Sequence, residues 1–497
     1  MAKKVKQQEL SGAQDLYNFL FEACNIIRGP VSQDNFKDYI TPLLYYKRIS
    51  DVYDEEVEEA LIASNGDEEY ASLPEQHRFV IPDGCHWQDI RERSENLGSA
   101  IVEAMRKIEI ANPDTLYGVL SIFSAQKWTD KKVLSDERIR NLIEHLSKRR
   151  LGNKDYPADL MGDAYEVLLK KFADDSKAQA GEFYTPRSVV RLLVRILDPQ
   201  PGETVYDPAC GSGGMLIEAI RYMHSDDLCC GSIFGQEKNV VNAAIAKMNL
   251  FLHGASDFNI MQGDTLRNPK ILQNDMLARF DCVIANPPFS LEKWGAKEWS
   301  TDKYGRNLWG TPSDSCGDYA WIQHMVCSMS FGKGRMAVVM PQGVLFRGNQ
   351  DGEIRKKLVL SDLVEAVVTL GDKLFYGTQL SPCFLILRRT KPADRSTRIL
   401  MIDGSRILTP KRAQNELSDA DGDRLYELYA NYADVEDFAK VVTLADIEAK
   451  DFSLSPNRYV EYHREEVKPY AEVKAEFLAA YETLKRCEAR FVELINQ

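Results

Sequence analysis

The chain has 497 residues, of which 44% are hydrophobic, so it is long enough to form two or three globular domains with full cores. Its formal net charge of -13 argues against strong DNA binding by the chain alone, because DNA affinity depends on neutralising phosphates. We expect a soluble, cytoplasmic protein, because we find no apolar run that could span a bilayer and no signal-peptide segment at the start. The ten cysteines and seven histidines lack metal-ligand or disulfide spacing, and we therefore predict no metal site.

Residues 1 to about 150 carry helical stripes of apolar residues and few strand-like runs. Gly152, Asn153 and Pro157 mark the boundary of the helical domain that we predict over residues 1–152. The acidic stretch 54–59 is typical of a solvated helix face. The two stripes that predict helices are Leu16, Phe19, Leu20, Ala23 and Ile27, and a longer one from Phe36 to Val57.

The segment 204–216 is typical of a strand, a glycine-rich turn and the start of a helix. Glycines let a ligand approach the backbone closely, and a helix start offers free N–H groups. The loop of a nucleotide dehydrogenase has a similar pattern, and a single glycine-rich turn does not distinguish the two kinds of site. No Lys-Ser or Lys-Thr follows to hold phosphate and magnesium, which argues against a P-loop. Asp207 at the strand end instead favours a cationic, phosphate-free ligand, such as the aminoacyl end of S-adenosylmethionine.

Two further strands also end in acidic residues. Residues 232–237 end in Glu237, at a suitable spacing after the glycine loop for a carboxylate that accepts hydrogen bonds from ribose hydroxyls. Residues 259–264 end in Asp264, which is placed to accept a hydrogen bond from the adenine amino group of such a cofactor. Each acid alone is more typical of a helix N-cap or a solvated loop charge than of a ligand-binding residue. Three acidic strand ends in succession favour a cofactor site.

The apolar run 280–285 predicts a buried strand, and Asn286, Pro287, Pro288 and Phe289 follow at its carboxyl end. Prolines have fixed φ and no N–H, so their carbonyls are rigid and free to accept hydrogen bonds. With the Asn carboxamide they can hold both hydrogens of a planar amino group, while Phe289 offers a face for stacking. The alternative is an ordinary strand-ending turn.

The segment 293–309 interleaves cations and aromatic residues, which predicts the lining of a nucleic-acid channel. Its alternative is a surface loop whose aromatic side chains pack inward. The residues that form this pattern are Lys293, Trp294, Lys297, Trp299, Lys303, Tyr304, Arg306 and Trp309.

The carboxyl-terminal half continues the strand and helix pattern. Residues 318–330 and 353–360 predict helices, and residues 335–340, 363–370 and 382–387 predict strands. These elements indicate an α/β fold with a doubly wound, mainly parallel sheet. We predict a catalytic domain over 153–395 and a mixed extension over 396–464.

A carboxyl-terminal helix is predicted over residues 465–497. Its apolar residues are spaced alternately four and three apart, which is typical of a coiled-coil seam that binds a partner. The alternative is packing against the chain's own core. The seam consists of Val473, Phe477, Ala480, Leu484, Cys487, Phe491 and Leu494.

The order of the glycine loop and the Asn-Pro-Pro-Phe motif resembles that of amino-group DNA methyltransferases. Residues 180–187 are similar to the cofactor-side segment of the modification subunits of type I restriction systems, as are 160–173, 317–325 and 340–346. Residues 451–460 resemble a further segment of that family.

The resemblance implies methyl transfer from S-adenosylmethionine to the N6 amino group of adenine in DNA, without a covalent enzyme intermediate. It also implies a methyltransferase sheet with a reversed strand near its edge. The implied partners are a DNA specificity subunit that reads the target, a restriction subunit in the full complex, and double-stranded DNA with a flipped adenine.

Two alternatives remain at this point: a protein glutamine N5-methyltransferase, which also uses Asn-Pro-Pro, and a catalytically idle assembly subunit. The predicted catalytic residues are Asn286, Pro287, Pro288 and Phe289. The predicted cofactor-binding residues are Glu182, Phe183, Tyr184, Thr185, Pro186, Arg187, Asp207, Ala209, Cys210, Gly211, Ser212, Gly213, Glu237 and Asp264.

Overall fold

A computed structural model gives the arrangement of helices and strands in most of the chain. The described residues are 2–32, 35–116, 118–120, 128–157, 160–162, 164–165, 167–168, 185–223, 231–255, 257–375, 381–411, 414–463 and 470–495. The predicted cofactor residues Glu182, Phe183 and Tyr184 lie outside this part of the chain.

The helices of eight residues or more are α1 (Ala2–Ile27), α2 (Phe36–Ala63), α3 (Leu97–Ala111), α4 (Asp136–Leu146), α5 (Arg187–Leu197), α6 (Gly214–Met223), α7 (Val240–Leu252), α8 (Asp318–Ser328), α9 (Asn349–Leu360), α10 (Asp419–Asn431) and α11 (Tyr470–Ile495). Short helical turns lie at Glu68–Ala71, Trp87–Arg91, Pro113–Leu116, Ala296–Trp299 and Leu444–Glu448. The strands are β1 (Val205–Asp207), β2 (Ile233–Glu237), β3 (Phe258–Gln262), β4 (Leu272–Gln273), β5 (Met276–Leu277), β6 (Cys282–Ala285), β7 (Arg335–Pro341), β8 (Val364–Leu370), β9 (Pro382–Arg388), β10 (Arg398–Gly404) and β11 (Ala439–Thr443).

The amino-terminal region is helical, as predicted, and its apolar stripes meet in one core. Leu16 and Leu20 of α1 are buried there with Ile40 and Leu43 of α2. The acidic stretch 54–59 is only partly a solvated face. Glu55 is 3% exposed, and its carboxylate accepts hydrogen bonds from the backbone N–H groups of Asn153 (2.6 Å) and Lys154 (3.1 Å). This acid therefore fastens α2 to the segment that follows the predicted domain boundary.

One large sheet forms the second region, with the strand order β11-β10-β8-β9-β7-β6-β1-β2-β3. β9 runs antiparallel between β7 and β8, and β11 pairs antiparallel with β10 at the edge; the other neighbours are parallel. The predicted reversed strand is therefore present, but it lies fourth from the edge. The reason is that β10 and β11, from the segment predicted as a mixed extension, continue the sheet beyond it.

Both faces of the sheet are covered, as expected for a doubly wound fold. Along β6, Cys282 and Ile284 face the core that contains α5, α6 and α10. Val283 and Ala285 face the opposite core, which contains α8 and α9. Burial on both faces explains why β6 was an uninterrupted apolar run in the sequence.

The helices α7 and α11 have contrasting surroundings. Met248, Phe251 and Leu252 of α7 belong to the amino-terminal core, while Ala246 and Leu250 belong to the sheet core. α11 has no buried residue. Among the described helices, none is both long and apolar enough to cross a membrane.

Candidate active site

The sheet topology brings the two predicted motifs to one edge. β1 pairs in parallel with β6, and Tyr206 lies opposite Val283. From β1 the chain continues to β2 on one side, whereas β6 lies on the other side. This is the topological switch point at which doubly wound folds bind ligands, at the carboxyl ends of the strands. The glycine loop after Asp207 and the motif that begins at Asn286 therefore lie side by side.

The glycine loop has a backbone that suits close approach of a ligand. Gly211 (φ +53°) and Gly213 (φ +86°) adopt left-handed conformations, which residues with side chains rarely adopt. A Cβ added at Gly211 would meet no atom within 4 Å. The loop is fixed by hydrogen bonds from the N–H of Cys210 to the Gln236 carbonyl (3.1 Å) and from the N–H of Gly213 to the Cys210 carbonyl (2.8 Å). It is a rigid turn with open space above Gly211.

Asp207 is a buried acid at the end of β1 and is 2% exposed. Its carboxylate accepts a hydrogen bond from the backbone N–H of Ala209 (2.9 Å), and no lysine or arginine of the described chain forms a salt bridge with it. Burial, with a smaller contribution from the nearby charge of Glu237, raises the pKa of Asp207 to about 8. An acid in this setting favours a cationic ligand.

Glu237 and Asp264 both make local contacts. The Glu237 carboxylate accepts hydrogen bonds from the N–H groups of Gly211 (2.9 Å) and Asn239 (2.7 Å), so it braces the glycine loop. Asp264 accepts from the N–H of Arg267 (3.2 Å) and forms a salt bridge with Lys238 (2.9 Å). These are the contacts of a turn residue and a loop charge, and the cofactor roles of both acids stay predictions.

The Asn286 side chain is held from one end only. Its Nδ2 donates a hydrogen bond to Thr185 Oγ1 (2.7 Å), which joins the Asn-Pro-Pro-Phe motif to the predicted cofactor segment. Its Oδ1 is buried, and within the described structure it has no hydrogen-bond partner. Buried acceptors in native structures are nearly always paired. This atom is therefore an acceptor that a ligand donor can pair with.

The rest of the motif is anchored on the side away from Asn286. Pro287 is buried and Pro288 is exposed, while Phe289 is half-buried against the sheet core. The N–H of Ser290 donates to Asp318 Oδ1 (2.7 Å), and Asp318 is fully buried and forms a salt bridge with Arg347. The motif therefore leaves the sheet along a fixed path.

The segment 293–309 packs inward, so the prediction of a channel lined by its tryptophans is wrong. Trp294 and Trp299 are each 2% exposed and lie in a small core with Leu266. Arg306 is equally buried and donates hydrogen bonds to the carbonyls of Thr265 and Leu266, both at 2.9 Å. The alternating pattern arose because this segment anchors itself on its aromatic side and exposes its lysines.

A cleft opens between the glycine loop and Asn286. Its empty volume, including the solvent at its mouth, is about 740 Å³. The predicted residues that line it are Thr185, Arg187, Asp207, Ala209, Cys210, Gly211, Ser212 and Asn286. The predicted residues that are described but do not line it are Pro186, Gly213, Glu237, Asp264, Pro287, Pro288 and Phe289.

Sequence analysis missed five lining residues: Val190, Gly214, Met215, Glu218 and Asn249. Glu218 and Asn249 are the polar members, each within an otherwise apolar stretch of helix, and this interruption was the available signal. Glu218 lies near Arg187 and Arg191 (both 3.8 Å) and Arg221 (3.9 Å). One wall of the cleft therefore carries paired opposite charges.

Comparisons with known proteins agree with this geometry. The N-6 DNA Methylase family model matches residues 157–468, and the model of the HsdM N-terminal domain matches residues 16–146. The chain is 32% identical to the type I restriction enzyme MjaVII methylase subunit of Methanocaldococcus jannaschii, over 84% of this chain and 73% of that protein.

Solved structures give the same result for the fold. The methyltransferase subunit of a type I restriction-modification system from Streptococcus thermophilus is 26% identical, with a TM-score of 0.76 over 90% of this chain and 100% of that one. A chain from a structural study of complex assembly in the type I system is 20% identical, with a TM-score of 0.65 over 97% and 98%. With the family model covering more than half of its residues, the chain belongs to the N-6 DNA methylase family, as a modification (methylase) subunit of type I restriction-modification systems.

Proposed function

We propose that the cleft binds S-adenosylmethionine and that Asn286 holds the adenine whose N6 amino group this DNA methyltransferase methylates. The observation that carries the proposal is the half-paired Asn286 amide. Because Nδ2 is bonded to Thr185 Oγ1 (2.7 Å), Oδ1 is left as a buried acceptor in the wall of the cleft. An amino group is a donor that fits such an acceptor.

The chain's own residues fit the charged groups of the cofactor, which are a sulfonium, an α-ammonium and a carboxylate. Asp207 offers a carboxylate to the cationic parts of the ligand, since no described cation pairs with it. Arg187, 3.8 Å from Glu218, offers a guanidinium to the ligand carboxylate. The open space above Gly211 lets the ligand lie against the loop. When bound, the cofactor supplies a methyl group on a sulfonium, which is an electrophile.

Asn286 and Pro287 prepare the target amine. The lone pair of an exocyclic amine is delocalised into the ring, so the amine is a weak nucleophile. Oδ1 of Asn286 and the rigid carbonyl of Pro287 accept its two hydrogens and draw them out of the ring plane, which localises the lone pair on nitrogen. The half-buried ring of Phe289 stacks on the flipped base and offsets part of the unstacking cost.

A methylation assay tests this proposal. The full-length chain, co-expressed with its specificity subunit, should transfer a labelled methyl group from S-adenosylmethionine to DNA, and digestion should yield N6-methyladenine. The chain alone should transfer little, because its net charge of -13 repels DNA. Label recovered on glutamine of a protein, or no transfer by the assembled complex, would contradict the proposal.

We also propose that α11 docks on the specificity subunit. Its seam is exposed along its length: Phe477 is 66%, Leu484 53% and Phe491 64% exposed. The described helix has no buried residue, which favours a partner over packing against the chain's own core. A stripe of this kind requires a partner helix. The assembly would also include the restriction subunit, and DNA would reach the cleft through the specificity subunit.

Truncation before α11, at about residue 465, tests the docking. The truncated chain should bind S-adenosylmethionine as the full chain does, since α11 contributes nothing to the described core. It should fail to co-purify with the specificity subunit and should lose DNA methylation. Co-purification equal to that of the full-length chain would contradict the assignment of α11.

The two alternatives from the sequence receive no support. The family models are those of an N-6 DNA methylase and of the HsdM N-terminal domain, and the curated relative is a type I methylase subunit. The glycine loop and Asn286 form one cleft, which argues against an idle subunit.

A further inference from the structure

Asn249 is a buried amide on α7 that lines the cleft. It is 1% exposed and lies between apolar neighbours in the helix. Its Nδ2 donates a hydrogen bond to the Ser212 carbonyl of the glycine loop (3.0 Å). Its Oδ1 is buried without a hydrogen-bond partner among the described residues. Asn249 therefore shares with Asn286 the property of a half-paired amide in the wall of the cleft.

The orientation of this amide follows from its neighbour. The Ser212 carbonyl only accepts hydrogen bonds, so the group facing it must be the NH₂ of Asn249. The opposite orientation would place two oxygen acceptors against each other. Oδ1 is thus fixed as the acceptor that remains. A buried acceptor of this kind costs free energy unless a donor reaches it.

The cleft itself indicates which ligand group is the donor. Glu237 and Asp264, the acids predicted to bind the ribose and adenine, lie outside its lining, whereas Asp207, Arg187 and Glu218 lie within it. The described cleft is therefore the part of the site with charges suited to an amino acid. In S-adenosylmethionine that part is the methionine end, where the α-ammonium group is the N–H donor.

We propose that Asn249 is a cofactor-binding residue whose Oδ1 accepts a hydrogen bond from the α-ammonium group of S-adenosylmethionine. The inference rests on the proposed function, because it assumes that this cofactor occupies the cleft.

The amino-terminal region holds Asn249 in place. Phe251, two residues further along α7, packs against Tyr45 (ring centroids 5.1 Å apart) and Phe79 (4.9 Å). The Arg78 guanidinium lies over the Phe251 ring at 4.5 Å and donates a hydrogen bond to the Ala255 carbonyl. The helical region thereby supports the helix that contributes Asn249 to the wall of the cleft.

The test compares two ligands, S-adenosylhomocysteine and its analogue that lacks only the α-amino group, by calorimetry on the full-length chain. Asn249→Ala should reduce the wild-type preference for the amino-bearing ligand by about tenfold or more, the range for a hydrogen bond to a charged group. Affinity for the deaminated analogue should fall much less. The ratio of the two affinities is the readout, because a loosened fold weakens the binding of both ligands alike.

Two variants complete the experiment. Leu252→Ala, on the same helix and 1% exposed in the amino-terminal core, should leave the ratio unchanged. Asn249→Asp keeps an oxygen acceptor and should retain the preference, although it loses the donor to Ser212. Equal losses of affinity for both ligands in Asn249→Ala, or no loss for either, would overturn this inference but leave the proposed function standing. A wild-type chain that binds neither ligand would overturn the proposed function and this inference with it.

Discussion

Buried charges are paired differently at the two ends of the parallel strands of the central sheet, which we call the amino edge and the carboxyl edge. At the amino edge, Glu365 is fully buried, and its carboxylate accepts hydrogen bonds from Arg388 (2.6 Å), Arg395 (2.8 Å) and the Tyr429 hydroxyl (2.9 Å). Arg335 likewise donates to Glu203 (2.6 Å) at that edge. Every one of these charges has an opposite charge beside it.

At the carboxyl edge, the buried polar groups are only partly paired. Asp207 has no described cation beside it, and Oδ1 atoms of Asn249 and Asn286 have no described donor. An unpaired buried polar atom costs about 1 to 3 kcal/mol. The two carboxylates at the amino edge are therefore paired with arginines of the chain, whereas the carboxyl edge leaves polar groups that a ligand can pair with. The lack of a described cation beside the carboxylate, rather than its burial, distinguishes Asp207 from Glu365.

The largest expected effect comes from removing an acceptor at the carboxyl edge. Asn286→Ala deletes the Oδ1 that orients the amine, so methyl transfer by the assembled complex should fall by about a hundredfold or more. Asn286→Asp places a negative charge beside the sulfonium and should also be impaired. Affinity for S-adenosylmethionine should survive in both variants. Transfer within a few-fold of wild type in Asn286→Ala would remove Asn286 from the mechanism.

A second variant tests the amino edge. Glu365→Ala leaves Arg388 and Arg395 without their shared carboxylate, and breaking a buried ion pair in this way costs about 3 to 5 kcal/mol of unfolding free energy. Urea denaturation measures this loss. Cofactor affinity of the folded variant should stay within about twofold of wild type. A large loss of affinity instead would mean that the two edges are not independent.

Smaller effects should separate cofactor from substrate residues. Gly211→Val forces a β-branched residue into φ +53° and fills the open space above the loop. Glu237→Ala removes the acceptor of the Gly211 N–H (2.9 Å). Both should weaken S-adenosylmethionine binding by about tenfold. Phe289→Ala should leave that binding nearly intact in calorimetry. Equal losses in all three variants would show that the cleft is divided wrongly between cofactor and base.

The smallest effect is a pH dependence. The pKa of Asp207 is raised by burial to about 8, so the acid is protonated in the empty site at neutral pH. A cationic ligand binds the ionised form better, and binding therefore releases a proton. Between pH 6.5 and 7.5, affinity for S-adenosylmethionine should rise by up to about tenfold in the wild type and stay flat in Asp207→Asn.

The same group has an opposite effect on stability in the empty protein. Folding raises the pKa of this acid from about 3.9 in the unfolded chain to about 8. The free energy of unfolding of the protein therefore falls as the pH rises between these two values. Asp207→Asn should therefore be at least as stable as wild type at pH 8, in contrast to Glu365→Ala. A destabilised Asp207→Asn would show that this carboxylate is paired as those of the amino edge are.

Much of the fold was readable from local patterns. The apolar run of β6 and the helical stripe of α1 depend on periodicity within a few residues, and each was predicted correctly. The acidic end of β1 and the glycine loop were likewise placed on a strand and a helix start. These signals persist in the sequence because secondary structure and strand-end chemistry are local properties.

The position of the reversed strand β9 within the sheet was not determined by local sequence patterns. It depended on whether residues 396–464 would add strands beyond it, and the sequence analysis left that segment as mixed, although residues 399–402 form an apolar run. The inward packing of Trp294 and Trp299, and the burial of Glu55, were also decided by neighbours that are distant in the chain. Composition describes a segment's polarity, but not the surface that covers it.

By itself, the sequence determined that a glycine loop and an Asn-Pro-Pro-Phe motif follow parallel strands, and that a heptad-spaced helix ends the chain. Only the tertiary structure decided which polar atoms of these motifs are paired. Asn286 bonds to Thr185, 101 residues away, and Asn249 bonds to Ser212 from a helix whose other face lies in the amino-terminal core. Pairing depends on contacts between remote segments, so the acceptors that remain for a ligand are visible only in the folded chain.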